Sequence, residues 1–287
     1  MGCPCEIQIE GVDAIAAHAA ATRARAEIDR LNAKYSHYLQ DSLLAQLELS
    51  AAEADVEVDE ETANLLDFAA ALHVQSEGLF DITAGVLTRL WDAQSERLPD
   101  AHEIERARAH VGWGLVDWRR PWLRLKAPGM HLDLGGIVKE YAADRAAAIC
   151  RSAGIEHGVV DLGGDLAIIG AHVDGSVWRV GIKDPGDPAR AIAQIEVAAG
   201  GLATSGDYER ALVVDGKRYS HILDPRSGLP VESFASVSVV GPSCLVAGAA
   251  STLAMLLGSE AGARYLAELG LAYLCVERNG RVHGCFA

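Results

Sequence analysis

Apolar residues recur at helical spacing from Asp13 to Leu49, with an interruption near Tyr35–Ser42, which predicts one long helix followed by a turn. Glu60 to Ser76 repeats the pattern, with Leu65, Leu66, Phe68, Ala69 and Leu72 on the inward face. GLFDITAG then reads as a loop and Leu87 to Asp92 as a short helix. Between Trp113 and Leu125 the period changes to the alternation of a hairpin, centred on WLRL. HLDLGG reads as a strand entering the helix IVKEYAADRAAAICRSAG, which Gly154 closes as a C-cap would. GVVDLGGDLAIIGA and WRVGIKDP read as strands, followed by AIAQIEVAAGGLATSG. ALVVDGKRYSHILDP turns at Asp215-Gly216 and AYLCVERNGRVHGCFA at Asn279-Gly280, both signals of a tight hairpin. Strand runs joined mostly by hairpins, with helices gathered in separate blocks, make this an α+β chain. No Pro- or Ser-rich linker divides it, so residues 1–287 are expected to form a single compact domain.

One stretch looks at first like a membrane span. Ser233 to Ser259 contains no charged residue and is long enough to cross a bilayer. SFASVSVVGP alternates small polar with apolar residues, however, and Gly241-Pro242 then breaks the chain. About fifteen residues, CLVAGAASTLAMLLG, remain for a helix, too few to span comfortably. Strand, turn and buried helix are expected, with no stable membrane insertion.

Charge and cysteine usage narrow the function classes. Twenty-five Lys and Arg against 40 Asp and Glu leave a formal net charge of −15, which argues against a general affinity for nucleic acid or anionic lipid. The acidic run from Glu48 to Glu61 has no Lys or Arg and reads as a solvated face. Cys3, Cys5, Cys150, Cys244, Cys275 and Cys285 are too sparse for a disulfide framework, and no partner pair at zinc spacing follows Cys3 and Cys5. Free thiols in a reducing compartment are expected. No secretory signal opens the sequence as given, so a cytoplasmic location is expected, or a periplasmic or membrane-anchored one if the true start lies upstream.

Four short motifs carry chemistry. In LDLGGIVKEYA, Gly135 and Gly136 stand between strand and helix, where backbone N–H groups suit a phosphate, and Lys139 lies one turn in. A tight turn with a surface lysine explains the same residues about as well. VDLGGD places Asp161 and Asp165 around Gly163-Gly164 without the spacing of a dinucleotide fingerprint; a β-turn is the plainer reading. ATSGDYE sets Thr204 and Ser205 beside Gly206, with no lysine to complete a phosphate loop. SHILDPRSG puts His221 near Asp224, a base whose pKa suits neutral pH, or a strand that ends in an Asp-Pro turn.

The order of the motifs is more specific than any one of them. MGCPCEIQI, SHYLQDS, GLFDITAG, HLDLGGIVKEYAADRA, VVDLGGDL, WRVGIKDP, ATSGDYE and HILDPRSG succeed one another along the chain. Over roughly residues 1–260 the sequence resembles the ApbE-type FAD:protein FMN transferase family. That resemblance implies cleavage of FAD and attachment of FMN, through a phosphoester bond, to a Thr or Ser of a partner flavoprotein. It also leaves room for two other activities: hydrolysis of FAD to FMN and AMP, or binding of FAD or FMN without catalysis. By matching motifs, FAD contacts fall on Met1, Tyr38, Leu79, Phe80, Asp81, Asp133, Lys139 and Ile222, and His221 is the candidate base for the acceptor hydroxyl.

The resemblance further implies a magnesium ion held by the Gly136 carbonyl and by an Asp and a Thr one helical turn apart. Thr252 matches, but Gly248 stands where the Asp is expected, and no other carboxylate lies between Ser233 and Ser259. Asp161 or Asp165 could substitute from another strand. Glu140 follows Lys139 where the family usually has Gly, adding negative charge near the proposed phosphate, and Leu79 replaces a smaller residue.

Overall fold

The computed structural model of the chain describes residues 2–92, 94–95, 97–207 and 211–284. It begins with strand β1 (Cys5–Glu10), helices α1 (Ala14–Tyr35) and α2 (Leu43–Glu53), and the two-residue strand β2 (Val56–Glu57). Helices α3 (Glu60–Gln75), α4 (Gly85–Leu90) and α5 (Ala101–Arg108) precede the hairpin β3 (Val116–Arg119) and β4 (Trp122–Leu125). Helix α6 (Gly135–Ser152) leads to strands β5 (His157–Leu162), β6 (Asp165–Gly170), β7 (Trp178–Asp184), β8 (Asp187–Val197) and β9 (Gly201–Gly206). Short strands β10 (Leu212–Val214), β11 (Lys217–Tyr219), β12 (Leu223–Asp224) and β13 (Leu229–Pro230) come before β14 (Phe234–Gly241). Helices α7 (Cys244–Leu257) and α8 (Ser259–Glu268), then strands β15 (Ala272–Glu277) and β16 (Val282–Gly284), complete the described chain.

The main sheet has seven strands in the order β1-β5-β6-β9-β14-β15-β16, and each neighbouring pair is antiparallel. The α+β expectation holds. Hairpin linkage is only part of it: β5–β6 and β15–β16 are hairpin neighbours, whereas β1 pairs with β5 across the whole helical block.

Alternating side chains explain why the strands are buried throughout. Val160, Ala167, Ala203, Val237 and Val239 belong to the core shared with α6 and α7. Val159, Leu166, Ile168 and Leu202 face the other way and pack under the β7–β8 hairpin with Trp178, Ile182 and Ile195. With both faces covered, β5 and β6 are largely apolar, while β14 keeps its alternation with Ser236 and Ser238 buried on one face. Ala20, Ala24, Ile28 and Leu31 of α1 join the core on the helical side.

Polar contacts fix the helix ends. Asp13 caps α1 through bonds from the Ile15 and Ala16 amides, and Ser42 caps α2 through one from Ala45, so the helical run breaks over residues 36–42 as expected. Helix α7 starts at Cys244 behind the Ser243 cap, and Asp144 of α6 accepts the Cys244 and Leu245 amides, both at 2.9 Å. The uncharged run is therefore strand β14, a turn and a 14-residue buried helix. Among the described residues no helix is long and apolar enough to cross a membrane.

Two local expectations need correction. HLDLGG is not a strand: it makes one isolated bridge, between His131 and Ala84, and the Asp133 amide donates to the Ile82 carbonyl at 2.6 Å. Its polar groups are spent on the 79–84 loop and on the start of α6, so no ladder forms. The acidic run is not simply a solvated face either. Glu48 is buried and accepts from the Leu132 amide at 2.7 Å and faces His131 Nδ1 at 2.9 Å, while Glu61 binds Arg30 and Lys34 of α1. The missing cations come from elsewhere in the chain. Among the described residues no disulfide forms, and Cys285 lies outside them.

Candidate functional site

The first turn of α6 gathers residues from four separate segments. Asp133 folds back so that its Oδ1 accepts the Gly135 amide at 2.7 Å, and its Oδ2 accepts the Thr88 hydroxyl at 3.1 Å. His37 Nδ1 lies 3.2 Å from the same carboxylate. Burial raises the Asp133 carboxyl, but the His37 ring, the Gly135 amide and the Thr88 hydroxyl together hold it down at about 2. The group is an anion that orients the turn.

His37 carries Tyr38 with it, their rings 3.9 Å apart, and Tyr38 stays largely exposed beside the turn. On the other side Phe80 packs against Gly136: a Cβ at Gly136 would lie 3.4 Å from Phe80 Cε2. Tyr38, Phe80, Asp133 and Gly136 thus converge, as does the loop that holds Leu79 and Asp81.

Asp81 is a strut. Its Oδ1 accepts the Thr83 amide at 2.8 Å and the Thr83 hydroxyl at 2.6 Å, and its Oδ2 accepts the Trp113 amide at 3.0 Å. Leu79 and Phe80 are buried, so Leu79 acts here as core.

One turn into α6, Lys139 reaches strand β6. Its Nζ lies 2.6 Å from Asp165 Oδ2, and Asp165 Oδ1 accepts the Thr204 amide of β9 at 3.0 Å. The Gly163-Gly164 turn before β6 has φ of 68° and 95°, and the Gly164 amide donates to Asp161. Cys3 packs on this turn: a Cβ at Gly163 would fall 2.7 Å from Cys3 Cβ. The N-terminal segment therefore reaches the site, although Met1 itself lies outside the described residues. The VDLGGD motif is a tight turn, as its plainer reading held, and it also seats Asp165 against Lys139.

Glu140, next along α6, turns inward toward α7 and is buried. Burial first, and then the Asp165 carboxylate beside it, push its carboxyl up to about 8, against the pull of Lys139.

Hydroxyls close the far side. Ser205 Oγ of β9 lies 2.8 Å from Ser251 Oγ and 3.0 Å from Thr252 Oγ1 of α7, and the Ser251 hydroxyl donates to the Gly248 carbonyl at 3.0 Å. Thr204 Oγ1 meets Ser238 Oγ at 2.7 Å. The weak ATSG motif thus supplies a donor-rich edge within reach of Lys139 and Thr252, while Tyr208 and Glu209 lie outside the described residues.

Among the described residues no three His, Cys, Asp or Glu side chains cluster as a metal cage. The donors present are oxygens: hydroxyls of Ser205 and Thr252, backbone carbonyls, and two neighbouring carboxylates. Such a set fits a hard divalent ion that keeps waters and shares substrate phosphates, and it does not fit a soft metal.

His221 and Ile222 sit apart in sequence, on the loop entering β12. The Ile222 amide donates to Ser220 Oγ at 3.1 Å, and its carbonyl accepts the Val231 amide at 3.0 Å, which fixes the half-buried loop beside β13. His221, the candidate base, is half-buried on this loop, immediately before Ile222. His37, Ser251 and the inward course of Glu140 escaped sequence reasoning, whereas Ser205 stood out in the ATSG motif.

Known proteins share the sequence pattern and the overall fold. Residues 1–275 match the ApbE family. The FAD:protein FMN transferase of Salmonella typhimurium is 31% identical over 290 residues, covering 98% of this chain and 83% of the relative. That of Vibrio cholerae is 33% identical over 246 residues, covering 82% of this chain and 74% of the relative. Among solved structures, the ApbE protein of Thermotoga maritima superposes with a TM-score of 0.88 at 33% identity, covering 97% of this chain and 93% of that one. The flavin transferase ApbE of Vibrio cholerae gives 0.85 at 29% identity, covering 99% and 94%. The chain belongs to the ApbE family.

Proposed function

We propose that the chain is an FAD:protein FMN transferase that cleaves FAD and joins FMN, through a phosphoester bond, to a Thr or Ser hydroxyl of a partner flavoprotein. The observation that carries this reading is the α6 turn. There two glycines expose backbone, Lys139 stands one turn in, and the Ser205–Thr252 hydroxyl edge lies opposite. Such a turn suits a pyrophosphate through helix N-terminal amides and a flexible cation.

In this reading Tyr38 and Phe80 offer aromatic faces to the flavin or adenine, and Asp81 and Leu79 hold the loop that positions Phe80. Asp133 fixes the Gly135-Gly136 backbone, Lys139 takes the pyrophosphate charge, and Met1 and Ile222 complete the FAD contacts. The acceptor oxygen attacks the phosphorus of the FMN half, the P–O bond to the bridging oxygen breaks, and AMP leaves. His221 accepts the proton of the acceptor hydroxyl. Gly136, through its carbonyl, and Thr252, through its hydroxyl, would hold a magnesium ion, which supplies neutralisation of charge on the non-bridging oxygens.

Incubation with FAD, magnesium and a flavin-accepting domain should leave a fluorescent band on a denaturing gel. No such band under any divalent metal would sink the transferase reading. A second reading, an FAD- or FMN-binding protein without catalysis, is favoured by one observation: position 248 carries no carboxylate. FAD binding indifferent to magnesium, with no AMP released, would support it. AMP released without an acceptor would instead identify FAD hydrolysis.

A further inference from the structure

Two carboxylates and one ammonium meet in the buried gap between α6, α7 and β6. Asp165 is engaged on both sides, by the Thr204 amide and by Lys139. Glu140 is different. It is only 7% exposed, its Oε2 has no donor among the described residues, and it meets Asp165, another acceptor, with which it can share a hydrogen bond only through a proton. Buried polar groups are nearly always paired, so this oxygen needs an explanation.

Its surroundings supply one. The Glu140 side chain occupies the space in front of Gly248: a Cβ there would lie 2.5 Å from Glu140 Cγ, 2.9 Å from Cδ and 3.2 Å from Oε1. A side chain at 248 would have to displace Glu140 from this position. Thr252 stands one turn beyond Gly248 on the same face of α7, with Ser205 and Ser251 against it. A carboxylate oxygen therefore enters, from α6, the groove that the α7 hydroxyls line. A carboxyl kept only for packing would be bettered by a hydrophobic side chain of similar volume.

We propose that Glu140 is the carboxylate ligand of a divalent cation at this groove, reaching from α6 through the space that Gly248 leaves open on α7. That the cation serves the FAD pyrophosphate rests on the transferase reading. Its binding can be measured separately.

The test uses the full chain loaded with FAD, with Mn2+ as probe and the unbound ion counted by electron paramagnetic resonance. FAD affinity is read separately from flavin fluorescence. Glu140→Gln keeps the shape and removes the charge; it should weaken Mn2+ binding about tenfold or more, since ligand charge sets affinity at such sites. The double variant Glu140→Gly with Gly248→Asp returns a carboxylate to the groove from the other helix. It should restore binding to within about threefold of wild type, whereas Glu140→Gly alone should not. Wild-type Mn2+ affinity in Glu140→Gln would overturn the proposal, as would its loss in Asp165→Asn alone. So would an FAD-loaded wild-type protein that takes up no Mn2+. A wild-type protein that binds Mn2+ but not FAD would contradict the transferase reading and leave the Glu140 assignment standing.

Discussion

Single residues around the α6 turn divide into those that hold the turn and those that face its mouth. Asp81 and Asp133 have their oxygens filled by amides and hydroxyls, so substituting them would disturb the loop before it disturbed a ligand. Lys139 contributes a charge on a flexible stem. Lys139→Ala should raise the Kd for FAD roughly 10- to 100-fold, the range of a charge-assisted contact, checked by fluorescence titration. Gly248→Asp alone should destabilise the fold by about 2–4 kcal/mol in urea, since it drives a Cβ into Glu140 and adds a third carboxylate to the gap. At this scale the sequence was legible where a motif carries its own contacts. DLGGIVK and ATSG each supply residues to the cluster around α6 and α7. It was illegible where the partner is distant: nothing around Gly248 says that Glu140 packs on it, because the two positions, far apart in sequence, meet only through the pairing of two helices.

Among elements, α6 carries Lys139 to the site and α7 carries Thr252. Asp144 of α6 takes the first two amides of α7 and so sets how the helix carrying Thr252 lies against the one carrying Lys139. Asp144→Ala should lower stability by about 1–2 kcal/mol, the usual worth of an N-cap, seen as a lower urea midpoint with unchanged m. Helix α3 is tied to α1 by Glu61. Burial pushes that carboxyl up, but hydrogen bonds from Arg30 and Lys34 outweigh it and bring it down to about 2. A carboxyl lowered on folding adds stability above its unfolded pKa and loses it as pH falls from about 4.5 toward 2. Glu61→Gln should therefore flatten the decline of the urea midpoint in that window and lower it at pH 7. Helix periods and hairpin turns were readable from local pattern. The HLDLGG segment misled because its polar groups bond to a loop across the fold, which no window of neighbouring residues records.

The whole molecule is a sheet with unlike faces. One carries α6, α7 and the candidate site, and the other only the β7–β8 hairpin, whose Trp178 donates to the Gly170 carbonyl at 2.9 Å and stacks on His172. Trp178→Ala should cost about 3–5 kcal/mol in urea unfolding while leaving the FAD Kd within about twofold, because the loss falls on the far face. An FAD affinity that collapsed with it would mean the two faces are coupled. The α+β class followed from composition of elements, but strand order did not: the pairing of β1 with β5 spans residues 5 to 162, and only the packed chain specifies it.

The close packing of Glu140 on Gly248 also couples the two positions in stability. A Cβ at 248 would lie 2.5 Å from Glu140 Cγ, so a side chain there has to push the glutamate aside. Gly248→Ala should therefore cost less in a Glu140→Gly background than in the wild type, and the difference between the two urea midpoints measures that coupling.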